Sequence, residues 1–296
     1  MSSKDDTTRL NTTALLLWDP NRPESMEASL RIEKELGSMG VEFIKGDTNS
    51  TESFTDPLDT DVAIVIGGDG TMIAQARRLV DHDVPMIGVN CGRLGFLAPF
   101  SPESLISHAQ SVLGDEKTLE QRVLLKVEIH AADGGATRVM RAMNDGLITA
   151  GEPFRMIRMS TRIDGQDGPV LFGDGLVIAT PTGSTGHNAS TGGPIGDPRL
   201  DALMVTPIAA QSLAFRPFAL HGQSTLEAVL HQVNEGTSLV LDGQIRVPLE
   251  SGDRITFSRH EKTVAFVACP GRPFWRILHD KLGWAASPGG YGGDLL

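Results

Sequence analysis

Apolar residues in the first third of the chain fall into short solid blocks, and amphipathic stretches lie between them. The block TALLLW (Thr13–Trp18) predicts a buried strand, and DPNRP after it a turn. From Glu24 to Leu36 the spacing sets Met26, Leu30 and Leu36 on one face of a helix that GSMG stops. VEFIKG predicts a second strand, and polar DTNSTESFTDP a loop. DVAIVI (Asp61–Ile66) is nearly all apolar with turn residues behind it, which suits a strand covered on both faces. TMIAQARRLV then predicts a helix, VPMIGVN a strand, and SPESLISHAQSVL another helix. Strands alternating with helices imply right-handed crossovers and an α/β domain with a doubly wound, parallel sheet.

Near Leu119 the texture changes. RVLLKVEIHAA, RVMRAMNDGLITA, RMIRMSTRIDG and PVLFGDGLVIAT each predict a strand, with short glycine-containing turns between them. ALMVTPIAA, TSLVLDGQIRVPL, DRITFSRH and TVAFVACP continue the pattern. FWRILHDKLGW is helical again, and SPGGYGGDLL reads as a floppy tail. The division expected is an α/β domain over 1–118, with 273–296 added to it, and a β-rich domain over 119–272. There is no internal repeat.

Composition narrows the function classes. With 296 residues and 40% apolar content, two packed domains are expected. A net charge of −11 argues against non-specific nucleic-acid binding and against a basic face on anionic membranes, so neither is expected as a partner. Two cysteines, no C-x-x-C, a polar start without an apolar leader and no membrane-length apolar run lead to the expectation of a cytoplasmic protein. His221, His231 and His279 show no ligand spacing, so no protein-built metal site is expected.

Chemistry concentrates in two glycine-rich stretches. Gly67-Gly68-Asp69-Gly70-Thr71 lies between a predicted strand and a predicted helix, the geometry that turns bare N–H groups and a helix dipole toward an anion. It is neither a Walker A loop nor a dinucleotide fingerprint. A carboxylate in such a turn either caps the helix or deprotonates an acceptor hydroxyl beside the phosphates. Of Arg77 and Arg78 on the same helix, one could face incoming phosphates, but solvated helix arginines are commoner and both read so.

The second stretch, Gly173–Pro198, runs from an apolar strand into a segment dense in Thr, Ser and Gly, which suits contact with a polar, sugar- and amide-bearing ligand. Asn144-Asp145-Gly146-Leu147 and Leu241-Asp242-Gly243-Gln244 alone read as hairpin turns. Cys91 reads as buried.

Together these segments resemble the bacterial NAD kinase family, nearly end to end and in the right order. The resemblance lies in the GGDG turn (Gly67–Gly70) and in N-x-G-x-L-G-F-L (Asn90–Leu97). It continues through the Asn144-Asp145 pair, the DGL…TPTGST…GGP block (Asp174–Pro194) and KLGW (Lys281–Trp284). It implies an α/β nucleotide domain plus a β-rich NAD-binding domain, with the C-terminal helix returning to the first. It also implies ATP-dependent phosphorylation of the adenosine ribose 2′-hydroxyl of NAD, with Asp69 as the base. Family contacts to the dinucleotide would fall on Asp69, Gly70, Asn144, Asp145, Arg155, Asp174, Thr185, Gly186, His187, Asn188, Ala189, Ser190 and Gln244. A divalent cation, Mg²⁺, would come with ATP, and members are homodimers or homotetramers.

The chain departs from the family pattern where STAY reads Ser184-Thr185-Gly186-His187, with a flat, titratable histidine in the tyrosine position. Phe172 stands where some relatives carry a basic residue. Two rival readings remain at this point. One is a lipid kinase of the diacylglycerol or sphingosine type, which shares a GGDGT turn. The other is a dinucleotide sensor without catalysis.

Overall fold

The computed structural model describes residues 9–50, 52, 54 and 58–284, so the tail Ser287–Leu296, most of the polar start and part of the DTNSTESFTDP loop lie outside the described residues. The chain divides into two compact units.

Met1–Gln75, His82–Glu120 and Ala265–Leu296 form the first. Its elements begin β1 (Thr12–Trp18), α1 (Pro23–Ser38), β2 (Val41–Asp47), β3 (Val62–Ile66), α2 (Asp69–Leu79), β4 (Met86–Val89), α3 (Pro102–Ser107) and α4 (Ala109–Leu113). The four strands pair in parallel in the order β2-β1-β3-β4. Every residue of β3 is buried, as a strand covered on both faces requires. Ala14, Leu16, Ile64 and Ile87 share one core with Ile32 and Leu36 of α1, Leu105 of α3 and Val112 of α4. Proline in the first turn starts α1, and a reciprocal Ser101–Ser104 capping box starts α3.

The buried stripe of α1 is not the one the spacing suggested. It consists of Ser25, Ala28, Ser29, Ile32 and Leu36, while Met26 and Leu30 are 36% and 59% exposed. Small side chains let the helix lie close against the strands, so the inward face of its first turns carries the least bulk rather than the most.

Ala76–Asp81 and Gln121–Val264 form the second unit. The chain continues through β5 (Leu119–His130), β6 (Arg138–Ala142), β7 (Asp145–Thr149), β8 (Ile157–Ile163), β9 (Gln166–Gly173), β10 (Gly175–Ala179) and the short α5 (His187–Ser190). Then follow β11 (Ala202–Ile208), β12 (Phe218–His221), β13 (Leu226–Gln232), β14 (Ser238–Leu241), β15 (Ile245–Pro248) and β16 (Arg254–Val267). Six strands form an antiparallel sheet in the order β12-β11-β10-β7-β14-β15. A second antiparallel layer runs β16-β13-β8-β9, with β5 beside β16 and β6 beside β5. Their facing side chains, among them Leu125, Met159, Ala228 and Phe257 from one layer and Ile148, Ile178, Val205 and Leu241 from the other, make a single core.

Three strand expectations change. RVMRAMNDGLITA is two strands, β6 and β7, that pair in different sheets, and PVLFGDGLVIAT likewise divides into β9 and β10. DRITFSRH and TVAFVACP fuse into the single long strand β16. Asp242 and Gly243, with φ of 53° and 67°, do make the tight hairpin between β14 and β15.

The last described element, α6 (Phe274–Leu282), belongs to the first unit, where the Phe274 ring lies 6.0 Å from that of Phe96. Left-handed Gly283 ends it, at φ 61°. The fold is therefore an N-terminal α/β domain with a parallel sheet and a β-rich C-terminal domain, with the C-terminal helix returning to the first. Among the described residues no helix is long and apolar enough to cross a membrane.

Candidate active site

Asp69 is the first residue of α2, and its carboxylate turns away from that helix. Oδ2 accepts a hydrogen bond from the Phe96 N–H at 3.0 Å. Oδ1 accepts from the Leu97 and Ala98 N–H groups at 2.9 and 3.2 Å. Lys281 Nζ of α6 stands 3.4 Å from Oδ2 and 5.1 Å from the Phe96 ring centroid. The L-G-F-L stretch is thus a row of amides built to receive this carboxylate. Gly95 must be glycine there, because a Cβ would overlap Asp69 Oδ1. A carboxylate has about four lone-pair positions. Three are filled by backbone, and Lys281 Nζ takes the fourth at 3.4 Å. Gly70, next along, is exposed in the first turn of α2.

In the second unit the Asn144-Asp145 pair is not a hairpin turn. The chain crosses from β6 to β7 here, and the backbone N–H groups that a turn would pair locally go to a side chain. Asp242 Oδ1 accepts from the Asn144 and Asp145 N–H groups at 2.7 and 3.2 Å, and Oδ2 from Met143 N–H at 3.0 Å. The Asp242 side chain is wholly buried and pairs with the Arg77 guanidinium, itself 13% exposed. Arg77 Nη2 also donates to Gln244 Oε1 at 2.7 Å. Asp145 is buried, and desolvation first, then the charge of Asp242, pushes its carboxyl up to about 7 from an ordinary 3.8.

The Thr180–Ser190 block packs against the same crossing. Thr180 donates its N–H to the Asn144 carbonyl at 2.8 Å and its hydroxyl to that of Met143 at 2.7 Å. A Cβ on Gly183 would overlap the Asn144 carbonyl, so the close approach needs that glycine. Two polar atoms in this cluster, Asn144 Oδ1 and Thr182 Oγ1, are buried with no hydrogen-bond partner among the described residues. Unsatisfied buried acceptors cost about 1–3 kcal/mol each, and their clustering marks a place where another molecule's donors fit. Within Thr185–Ser190, Gly186, His187 and Ser190 are exposed, and Thr185 and Ala189 are half-buried. Asn188 is fully buried, and its side chain is spent internally. Nδ2 donates to the Ser184 and Pro194 carbonyls, and Oδ1 accepts from the Thr206 hydroxyl.

Two expected site residues stand elsewhere. In the β7–β10 register Asp145 lies opposite Ala179 and Thr149 opposite Gly175. Asp174 therefore sits at the far end of β7 from Asp145, at least about 13 Å along the strand. Its carbonyl accepts from Ala150 N–H at 2.8 Å. Arg155 follows on the exposed loop at that same end, beside a cavity of about 660 Å³ lined by Glu152, Phe154, Glu235 and Arg246. Cys91, expected inside, is exposed; partial desolvation and the nearby Glu24, Glu103 and Glu27 raise its thiol, so it stays protonated. Its loop follows β4 at the surface, where burial was not available.

Residues 19–117 match the family model described as the ATP-NAD kinase N-terminal domain, and 143–269 the ATP-NAD kinase C-terminal domain. Over 271 residues the chain is 37% identical to an NAD kinase of Rhodopirellula baltica, covering 92% of this chain and 86% of that protein. This chain belongs to the NAD kinase family. An NAD kinase of Aromatoleum aromaticum is 34% identical over 90% of this chain and 92% of its own length. Solved NAD kinase folds agree. Yeast NADH kinase, solved with NADH, superposes with a TM-score of 0.80 at 23% identity, over 95% of this chain and 89% of its own. An Archaeoglobus fulgidus NAD kinase, solved with ATP, gives 0.71 at 24%, over 92% and 97%. At those identities the likeness concerns the fold. Membership in the NAD kinase family sets the lipid-kinase reading aside.

Within this NAD kinase fold, sequence reasoning passed over three residues that the geometry brings forward: Arg77, Asp242 and Lys281. Arg77 read as solvated and Asp242 as a hairpin turn. Lys281 counted only as part of KLGW. The signal that could have found Asp242 is the D-G-Q turn itself, since a hairpin needs the φ values of Asp-Gly but has no local use for a buried carboxylate.

Proposed function

We propose that this chain is an NAD kinase in activity as well as family, transferring the γ-phosphoryl group of ATP to the adenosine ribose 2′-hydroxyl of NAD. The products are NADP and ADP. Asp69 takes the hydroxyl proton as the oxygen attacks phosphorus, and the GGDG turn lies at the phosphates. The observation that carries this reading is the Asp69 carboxylate, fixed by three backbone N–H bonds and a longer bond from Lys281 Nζ. Such a group is oriented in advance, and the long Lys281 bond at its fourth position is the one a substrate hydroxyl would replace.

Gly70, Asn144, Asp145, Arg155, Asp174, the Thr185–Ser190 segment and Gln244 hold the dinucleotide. Asn144 Oδ1 and Thr182 Oγ1, buried and unpaired among the described residues, support a ligand at the β6–β7 crossing. Within Thr185–Ser190 the contacts come from the backbone, His187 and Ser190, and Asn188 braces the segment from beneath. Residues 1–118 with 273–296 act as the nucleotide domain, and 119–272 as the dinucleotide domain. Among the described residues no group of three or more His, Cys, Asp or Glu is placed to hold a metal ion. We infer a divalent cation arriving with ATP, where it would neutralise phosphate charge and keep its waters. A cytoplasmic homodimer or homotetramer is the setting we infer.

The test is NADP formation from NAD and Mg-ATP by the purified chain. Turnover supports the proposal. No product from NAD or NADH, with ATP or polyphosphate as donor, overturns it, and tight NAD binding in that case would identify a sensor.

A further inference from the structure

We propose that Asp242 and Arg77 form a positioning unit for dinucleotide binding. Asp242 holds the Met143–Asp145 backbone in its crossing conformation, and Arg77 fixes Asp242 and aims Gln244. The inference rests on the reading of Asn144, Asp145 and Gln244 as dinucleotide contacts.

The geometry leaves little else for Asp242 to do. The N–H groups of Met143 and Asn144, between β6 and β7, and of Asp145, the first residue of β7, all end on its carboxylate, at 2.7 to 3.2 Å. Its side chain is wholly buried, so it meets no solvent and no ligand directly. A buried carboxylate in a hairpin turn is expensive unless several donors and a cation satisfy it. The backbone supplies three of those donors, and Arg77 is the cation. The hairpin also needs Asp242 for its φ of 53°, but asparagine adopts that conformation equally well. What asparagine cannot do is accept from Met143, Asn144, Asp145 and Arg77 together.

Arg77 acts at two points. Its guanidinium pairs with Asp242 through Nη1 and donates to Gln244 Oε1 through Nη2. A planar fork with two fixed donors sets the distance between those two acceptors, which a lysine ammonium cannot do. Asn144 is anchored by its own backbone N–H and, through its carbonyl, by Thr180. Thus one ion pair orders both sides of the same cluster without touching the ligand.

The variants are Asp242→Asn, Arg77→Met, Arg77→Lys and the Asp242→Asn/Arg77→Met double. Steady-state kinetics, thermal melting and amide hydrogen exchange at residues 143–145 are read on the full chain. A KM for NAD raised about tenfold or more, with the KM for ATP within about twofold of wild type, supports the proposal in any single variant that folds. The double variant should be no worse than Asp242→Asn alone, since the two residues act as one unit. Arg77→Lys should recover most of the Tm while leaving the NAD KM raised, a split that a purely structural ion pair would not give. A wild-type KM for NAD in folded Arg77→Met or Asp242→Asn overturns the proposal even with turnover intact. If the wild-type chain neither turns over nor binds NAD, the functional reading fails by itself. Exchange then decides the clamp: faster exchange at Asn144 and Asp145 in Arg77→Met or Asp242→Asn supports it, and wild-type protection overturns it.

Discussion

Replacing Asp69 by asparagine is usually thought of as removing a charge and nothing more. Here the surroundings make it a larger change. The substituted asparagine could keep its oxygen toward the Leu97 and Ala98 N–H groups, now 2.9 and 3.2 Å from Oδ1. Its amide nitrogen would then face the Phe96 N–H, now 3.0 Å from Oδ2, and Lys281 Nζ, now at 3.4 Å. Donor would meet donor at both. Losing one backbone bond to a charged acceptor costs about 1.5–3 kcal/mol. The ion pair adds at most about 1 kcal/mol, because both side chains are about a third exposed. The sum, about 2–4 kcal/mol, corresponds to a Tm lower by roughly 4–15 °C. Loss of the base should in addition lower kcat by about 10²–10⁴. Both readouts are needed: kcat at saturating NAD and Mg-ATP, and calorimetric melting of the free protein. A kcat within about threefold of wild type would remove Asp69 from the proton transfer. An unchanged Tm would instead refute the amide cradle, whatever kcat did.

Gly95→Ala tests the same cradle from the other side, because the new Cβ meets Asp69 Oδ1. Displacement of the carboxylate by a fraction of an ångström should lower kcat on the order of 10–100-fold and leave the KM for NAD nearly unchanged; wild-type kcat in Gly95→Ala would sink the account. Asp145 predicts a pH dependence. Its folded pKa of about 7 lies above the ordinary 3.8, so its contribution to stability is fully present below about pH 4 and is lost as pH rises through 7. The full difference corresponds to at most about 4 kcal/mol. Denaturant titrations of wild type and Asp145→Asn from pH 4.5 to 8 should show the stability gap moving against wild type with rising pH and levelling above 7. A gap that stays flat over that range would mean that Asp145 is ionised throughout.

The parallel half of the fold was legible because its strands are short, solidly apolar and separated by amphipathic helices. What misled was bulk taken as a guide to facing. Met26 and Leu30 looked like the inner face of α1, yet Ser25, Ala28 and Ser29 are the residues inside. In the β-rich half, the run RVMRAMNDGLITA gave no sign of changing sheets. Sheet changes are marked in sequence only when the freed backbone groups are satisfied locally, by glycine or a side chain nearby. At Met143–Asp145 they are satisfied by Asp242, about a hundred residues away.

The same distance explains which parts of the candidate site could be read. Asp69 and the Thr180–Ser190 block announce themselves because each is a local pattern, a glycine turn with an acid in it or a small-residue run; Asn144-Asp145 alone read as a hairpin turn and was singled out only by the resemblance. Arg77 and Asp242 are 165 residues apart, and Lys281 and Asp69 are 212 apart. Each, taken alone, has an ordinary explanation: a helix arginine, a hairpin aspartate, a lysine near the end. Only the fold turns them into partners, and only then does the acid at the hairpin become a problem that needs a cation. Asp174 and Arg155 make the converse point. The family resemblance put them in one contact set with Asn144 and Asp145, and one five-residue strand, β7, sets the two groups at opposite ends. Motif order along a chain names the residues a site can draw on; strand register sets how far apart along an extended ligand they stand.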